Sequence, residues 1–350
     1  MYLFIIRSNI PDSSTPFLHR LKALDWLGIL LNAGTFTTFV IGFAIGGTLW
    51  PWHDARTIIT LVLFGILLIS YTLQQRYAVL TSKQTRVFPA RFLTRRTFLL
   101  LFIAQSCVQT ALAVPLYYIP LFFQFSRGES AVRSAVRLLP FVAVNIVTVL
   151  ANGALLPKYG CYMLWFLASG VLNSLGGALF FAMLTPRTSA AAVYGWSVLL
   201  ALGTGLAQQA AYSVAAVKAP HHVTDAVGFI NLAQIGSVVI VLTFASLIFQ
   251  NVGYGNVKTA LAGLDVDVED IRAALGGAKG GVFEEGVLSE EVKWGVDEGI
   301  VNALRWAFLT VLVAGVMEVL ASLGMGREIL FKPAAEEALD RAEQEKVGDA

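Results

Sequence analysis

An all-α, polytopic membrane helix bundle is the fold this sequence predicts, and three observations predict it. The 350-residue chain is 56% hydrophobic and only 14% charged, about half the charged share of a soluble domain. Its mean hydropathy is +0.69. Its apolar residues are gathered into eight runs of membrane-spanning length; a span takes about 20 residues, because each rises about 1.5 Å across about 30 Å of hydrocarbon. Only a helix satisfies its own backbone in lipid, so open runs of this kind are read as helices.

Taken in order, a segment at 1–24 precedes two spans within 25–73. The first covers 26–49 and carries Gly42 and Gly46 in Gly-x-x-x-Gly spacing, which lets a neighbouring helix approach closely. The second covers 57–73. A loop at 74–96 follows, with Arg76, Lys83, Arg86, Arg91, Arg95 and Arg96 and no acid. Six more spans fill 97–324. The third, 98–125, is expected to kink at Pro115 and Pro120. The fourth, fifth and sixth cover 136–156, 162–184 and 191–217, and the seventh and eighth 227–249 and 303–323. Between the last two lies a polar, acidic loop, 250–302. In it "LDVDVEDIRAALGG" predicts a short helix with Asp265 or Asp267 near its start, Val268, Ile271 and Leu275 on one face, and Gly276 placed to end it. A polar tail occupies 325–350.

Lys and Arg set the orientation. With a cytoplasmic N-terminus, the inner segments hold the basic loop together with Arg7, Arg20, Lys22, Lys158, Lys218 and the basic residues of the tail. The short outer loops hold Arg56, Arg127, Arg133, Arg137 and Arg187. Both termini are therefore expected in the cytoplasm, and 250–302 outside.

Several function classes are excluded. A net charge of +2 with no basic stripe interleaved with aromatics does not suit nucleic acid. Cys107 and Cys161 fall in or beside apolar runs and read as free, packed thiols. "GGAKGG" at 276–281 lacks the Ser/Thr and spacing of a phosphate loop. His221 and His222 are adjacent, so they point apart and read as solvated loop residues, not a metal pair. No catalytic motif is present, so the chain reads as neither an enzyme nor a metalloprotein. The opening apolar run, ended by Arg7, is too short for a span and lacks a signal peptide's features.

Polar groups inside spans carry the functional reading. Gln105 and Gln109 lie one turn apart on the third span, and Asn145 and Asn152 share a face of the fourth. Gln208 and Gln209 sit within the sixth, and Asn231 and Gln234 share a face of the seventh. These amides either line a polar cavity or form interhelical hydrogen bonds, worth about 0.6 kcal/mol each. Glu318 is the one carboxylate well inside a span. It either relays a proton or reaches water at the span's end.

The chain also resembles a known family. "LKALDWLGILLNAGTFTTFVIGFAIGG" with "WPW" at 50–52 looks like the seventh span, and following outer loop, of fungal fourteen-span drug:proton antiporters of the major facilitator superfamily. "YYIPLFFQ" at 117–124 with "SAVRSAVRLLP" at 130–140 resembles that branch's hairpin between spans nine and ten. "LPKYGCY" at 156–162 and "FASLIFQN" at 244–251 resemble later turns. The likeness extends from Leu21 to Phe331, and 1–20 match nothing in the family. It implies the C-terminal half of such a transporter plus its two linker spans, with six preceding spans missing. Arg137 matches the arginine of the "G-V-R-L-L-P" motif, so it would anchor the outer start of a gating helix; here Ala135 stands where the family has Gly. Lys218 stands where the family often has Gln.

The resemblance further implies export of small amphipathic drugs or toxins, with the lipid bilayer and such a substrate as partners. Gln105, Gln109, Gln208, Asn231 and Gln234 would hold the substrate, with Tyr117 and Tyr118 stacking nearby. The proton gradient would supply the energy and no cofactor is implied. The plasma membrane is expected over the vacuolar one. Such transporters work between two rocking halves, so the chain alone is expected to be inactive unless a missing N-terminal half, or a second copy in a homodimer, completes it. The alternative is a non-transporting membrane protein, a truncated relic or an assembly partner.

Overall fold

The computed structural model describes residues 24–81, 86–262, 267–275 and 289–330. Within them eight helices are long and apolar enough to cross a membrane, one for each run in the sequence. Helix α1 (Trp26–Val40) begins at Asp25, whose carboxylate accepts from the Gly28 amide at 2.9 Å. It widens into a π-turn, Ile41–Ile45. Helix α2 (Ala55–Tyr77) is capped by Asp54 and closed by Ala78 in a left-handed conformation. The two glycines do bring the pair together: a Cβ at Gly42 would lie 2.8 Å from Leu61 Cδ2, and one at Gly46 2.8 Å from Thr57 Cγ2.

Helix α3 (Arg96–Arg127) runs unbroken through Pro115 and Pro120. Each proline removes one backbone hydrogen bond, and the neighbouring helices enclose α3 more fully than any other span. The fourth span is two pieces, α4 (Ala131–Val136) and α5 (Leu139–Tyr159), joined at Arg137 and Leu138. Helix α6 (Tyr162–Met183) is the fifth. The sixth is α7 (Ala190–Ala207) and α8 (Ala210–Lys218), parted at Gln208 and Gln209. Helices α9 (Val223–Ala260) and α11 (Glu290–Leu323) are the last spans, with the short α10 (Val268–Leu275) between them.

Both α9 and α11 run well past the apolar stretches, so much of 250–302 is helical. The reason is packing: Val257, Ile271, Leu275, Val296 and Ile300 are all buried in one cluster. Helix α10 has the predicted place, and Ile271 and Leu275 are its buried positions. Asp265, Gly276, the 276–281 glycine run, 1–23 and 331–350 lie outside the described residues.

Helix α11 packs against α6, α3 and α9; α7 packs against α5 and α6; the α1–α2 pair packs chiefly on itself. Two apolar clusters form the core. One holds Tyr118, Phe122, Phe123, Phe141, Phe180 and Phe308, with Phe180 and Phe308 stacked at 4.3 Å. The other holds Phe92, Phe98, Met163, Phe166 and Phe229. Along α3, α6, α7 and α9 the two meet at Gln109, Asn173, Thr204 and Gln234, so a polar layer divides the apolar core at mid-span.

The loops sort to two ends. At the basic-loop end Arg91 pairs with Asp225 and Lys218 with Glu328. At the other, Arg272 donates to the Gly47 carbonyl at 3.1 Å and Arg127 to the Thr188 carbonyl at 2.9 Å. Cys107 and Cys161 are free thiols.

Candidate functional site

Where α7 stops and α8 begins, the Gln208 carbonyl accepts from Gln105 Nε2 of α3 at 3.3 Å. The same nitrogen reaches Gln234 Oε1 of α9 at 3.5 Å. The Tyr212 hydroxyl of α8 donates to Gln234 Oε1 and also to Asn231 Oδ1, the latter at 3.3 Å. Three helices thus bring Gln105, Gln208, Tyr212, Asn231 and Gln234 to one place. Gln105 is 0% exposed, whereas Asn231 is open to the surroundings. Gln105 Oε1, Gln208 Oε1 and the nearby Gln109 Nε2 are buried with no hydrogen-bond partner. Tyr212 was not singled out by the sequence, where a tyrosine in an apolar run reads as an interface anchor.

Other expected members lie elsewhere. Asn145 donates to Thr204 Oγ1 at 2.8 Å and to the Ala201 carbonyl at 3.4 Å. It is an interhelical tie between α5 and α7, and Asn152 is buried on the same helix. Tyr117 and Tyr118 do not stack near the glutamines. They stand twelve and thirteen residues beyond Gln105, about 18 Å further along α3 at about 1.5 Å per residue. Tyr118 is buried against Phe249, ring centroids 5.9 Å apart, and Tyr117 is 55% exposed.

Arg137 sits at the joint between α4 and α5. Its guanidinium grips Glu129 with both arms, Nη2 to Oε1 at 2.6 Å and Nε to Oε2 at 3.2 Å. Nη1 donates to the Tyr194 hydroxyl of α7 at 2.8 Å, and the group stands over the Phe123 ring of α3 at 5.2 Å. Its hydrogen bond, then the charges of Arg137, Arg133 and Arg127, hold the Glu129 carboxyl below its ordinary range despite some desolvation.

Glu318 does not reach water: it is 0% exposed. Its place along the helix suggested an edge, but α6 and α3 cover it. Asn173 Nδ2 donates to Glu318 Oε2 at 3.0 Å, while Glu318 Oε1 and Asn173 Oδ1 have no partner. Glycines make this closeness possible. A Cβ at Gly315 would lie 2.4 Å from the Ser174 nitrogen, and one at Gly177 2.6 Å from the Leu312 nitrogen.

A cavity of about 1310 Å³ separates the α1–α2 pair from α3, α9 and α11. Asn231 and Ser106 lie on its wall, so it borders the amide cluster. Among the described residues no group of His, Cys, Asp or Glu is placed to hold a metal ion; His221 and His222 are exposed in a short turn.

Eight apolar helices enclosing a buried polar layer define a polytopic integral membrane protein. Comparison then gives the family: the chain belongs to the Major Facilitator Superfamily, which it matches over residues 6–242. This is a family of transporters, not enzymes. The match begins within the first 20 residues, which were expected to match nothing. The chain is 37% identical to the efflux pump patC of Aspergillus clavatus over 325 residues, 92% of this chain and 58% of that protein. It is 35% identical to the MFS-type transporter pgmG of Aspergillus terreus, over 95% of this chain and 58% of that protein. It is 32% identical to the efflux pump alnA of Emericella nidulans, over 96% of this chain and 60% of that protein. The chain thus spans little more than half the length of these relatives.

Proposed function

We propose that the chain is the C-terminal part of a proton-coupled exporter of small amphipathic compounds, and that the amide cluster forms part of its substrate-facing surface. The observation that carries this reading is the meeting of Gln105, Gln208, Tyr212, Asn231 and Gln234 at a broken membrane helix. Broken helices near mid-membrane are where transporters hold their cargo. A buried polar atom without a partner costs about 1–3 kcal/mol, and a substrate that bonds to Gln105 Oε1 or Gln208 Oε1 recovers that cost. The names of the relatives support export. Glu318, enclosed and facing no cation among the described residues, is the proposed proton carrier. The proposed orientation keeps 74–96 in the cytoplasm, in the plasma membrane.

The test uses a complete transporter, this chain preceded by the N-terminal half of one of the relatives, in an efflux-deficient host. Gln105→Leu with Gln234→Leu is expected to lower proton-gradient-dependent efflux about tenfold, the effect of about 1.4 kcal/mol, at unchanged surface expression. Unchanged efflux in that double variant refutes the site.

A further inference from the structure

We infer that the amide cluster selects a neutral ligand that accepts hydrogen bonds through a carbonyl, and that Tyr212 sets this preference by turning the Gln234 amide nitrogen-outward. The inference rests on the cluster's being a substrate-facing surface and names the chemistry that surface takes. The orientation begins at the helix break. A backbone carbonyl can only accept, so the Gln208 carbonyl, freed between α7 and α8, fixes Gln105 with Nε2 toward it at 3.3 Å. The same nitrogen faces Gln234 at 3.5 Å, so Gln234 meets it oxygen first. The Tyr212 hydroxyl donates to that Oε1 as well, and Asn231 takes the same sense, with Oδ1 toward the hydroxyl at 3.3 Å.

Both amide oxygens are thereby used inside the cluster. Gln234 Nε2 and Asn231 Nδ2 have no hydrogen-bond partner among the described residues. Asn231 is exposed and Gln234 half-buried, so the open side of the cluster offers N–H groups, which a carbonyl oxygen accepts. Gln105 Oε1 and Gln208 Oε1 are bare acceptors, but both atoms are buried; a ligand hydroxyl that reached them would add to the carbonyl contact, not replace it. Tyr212 is the pin. At 3.5 Å the Gln105 contact is long, and without the hydroxyl either end of the Gln234 amide can turn outward. Charge points the same way. Lys218 and Asp225, the charged residues nearest along α8 and α9, are taken up by Glu328 and Arg91, and Glu318 is enclosed. A cation or a carboxylate entering here gives up water and finds no countercharge, a cost a neutral carbonyl compound avoids.

The test measures binding to the purified full chain in phosphatidylcholine nanodiscs, by equilibrium dialysis against empty discs. The probes are Nile red and Nile blue, which share one ring system. Nile red is neutral and ends in a carbonyl, with no N–H or O–H; Nile blue carries N–H donors and a positive charge in its place. Nile red is expected to bind about tenfold more tightly, what one unmet hydrogen bond of about 1.4 kcal/mol is worth. Tyr212→Phe keeps the ring and frees the amide, so that preference falls to about twofold or less. Gln234→Met removes the outward nitrogen at little change of volume, so Nile red weakens about tenfold and Nile blue is unmoved. Equal binding of the two dyes, or a preference that survives Tyr212→Phe, overturns the inference; the substrate-facing surface still stands if Gln234→Met weakens Nile red. Undiminished Nile red binding in Gln234→Met overturns both, and that variant decides alone if Tyr212→Phe does not fold.

Discussion

Arg137 enters the membrane with a carboxylate, a phenol and an aromatic face around it. Each contact belongs to a different segment, so one side chain ties the loop after α3, the start of α5 and the part of α7 around Tyr194. A charge in an apolar run made it conspicuous in the sequence; its partners were not legible there, since Tyr194 lies 57 positions away. A lysine has no fork with which to grip Glu129. In a complete transporter, Arg137→Ala is expected to cut efflux about tenfold, since its bonds to Glu129 and Tyr194 are lost, while surface expression holds; Arg137→Lys should fall between. A parallel loss of expression would make Arg137 a folding anchor only. Glu129 gives a pH prediction. Its folded pKa lies below its ordinary 4.5. The pair's contribution is therefore whole above about pH 4.5 and is lost as pH falls through the lower folded value. Thermal unfolding in detergent should show extra acid lability below that pH, and Glu129→Gln should abolish the extra part. Glu318 shows the limit of a one-dimensional reading: distance from a helix end does not say which neighbours cover a residue.

At the scale of elements, hydropathy located each of the eight spans found among the described residues, because length and apolarity are properties of a single segment. What it missed belongs to pairs of segments. Glycines on α6 and α11 let two backbones meet, and nothing in either helix alone distinguishes them from Gly65 or Gly153, which face open space. The break at Gln208 and Gln209 has no proline to announce it. Asp25 carried no signal beyond a helix start, yet it is 2% exposed and accepts from Gln74 at 2.9 Å and Gln75 at 2.8 Å, at the far end of α2. The glycine contact can be tested directly. Gly315→Ala pushes a methyl to within 2.4 Å of the Ser174 backbone, so it should destabilise the protein by about 1–3 kcal/mol. Gly65→Ala, with no neighbour within 4 Å, should be neutral or stabilising by up to about 1 kcal/mol. Equal unfolding midpoints for the two variants would show that α6 and α11 do not touch there.

At the scale of the whole molecule, two statements about the membrane remain to be tested. The first is orientation. In a background without Cys107 and Cys161, single cysteines at Ser82 and Ser289 are treated with an impermeant thiol reagent on intact cells; Ser289→Cys should label and Ser82→Cys should not, and the reverse pattern would invert the proposed topology. The second is that this chain moves no substrate alone. Asn231, at the edge of the amide cluster, is not covered by the bundle and Gln234 is only partly covered, and alternating access requires a second bundle to close over such a site. The α1–α2 pair does not serve as that bundle: it packs chiefly on itself, its outward side is a row of apolar residues such as Leu30, Ile59 and Ile69, and the space it leaves is mostly apolar. Left open to hydrocarbon, the amides disfavour a solitary chain, so it should self-associate or be degraded. Expressed alone in an efflux-deficient host, it is expected to give no proton-gradient-dependent efflux, and to give it when co-expressed with the N-terminal half of a related transporter. Efflux from the chain alone, abolished by Glu318→Gln, would overturn this expectation and would mean that two copies build the path between them.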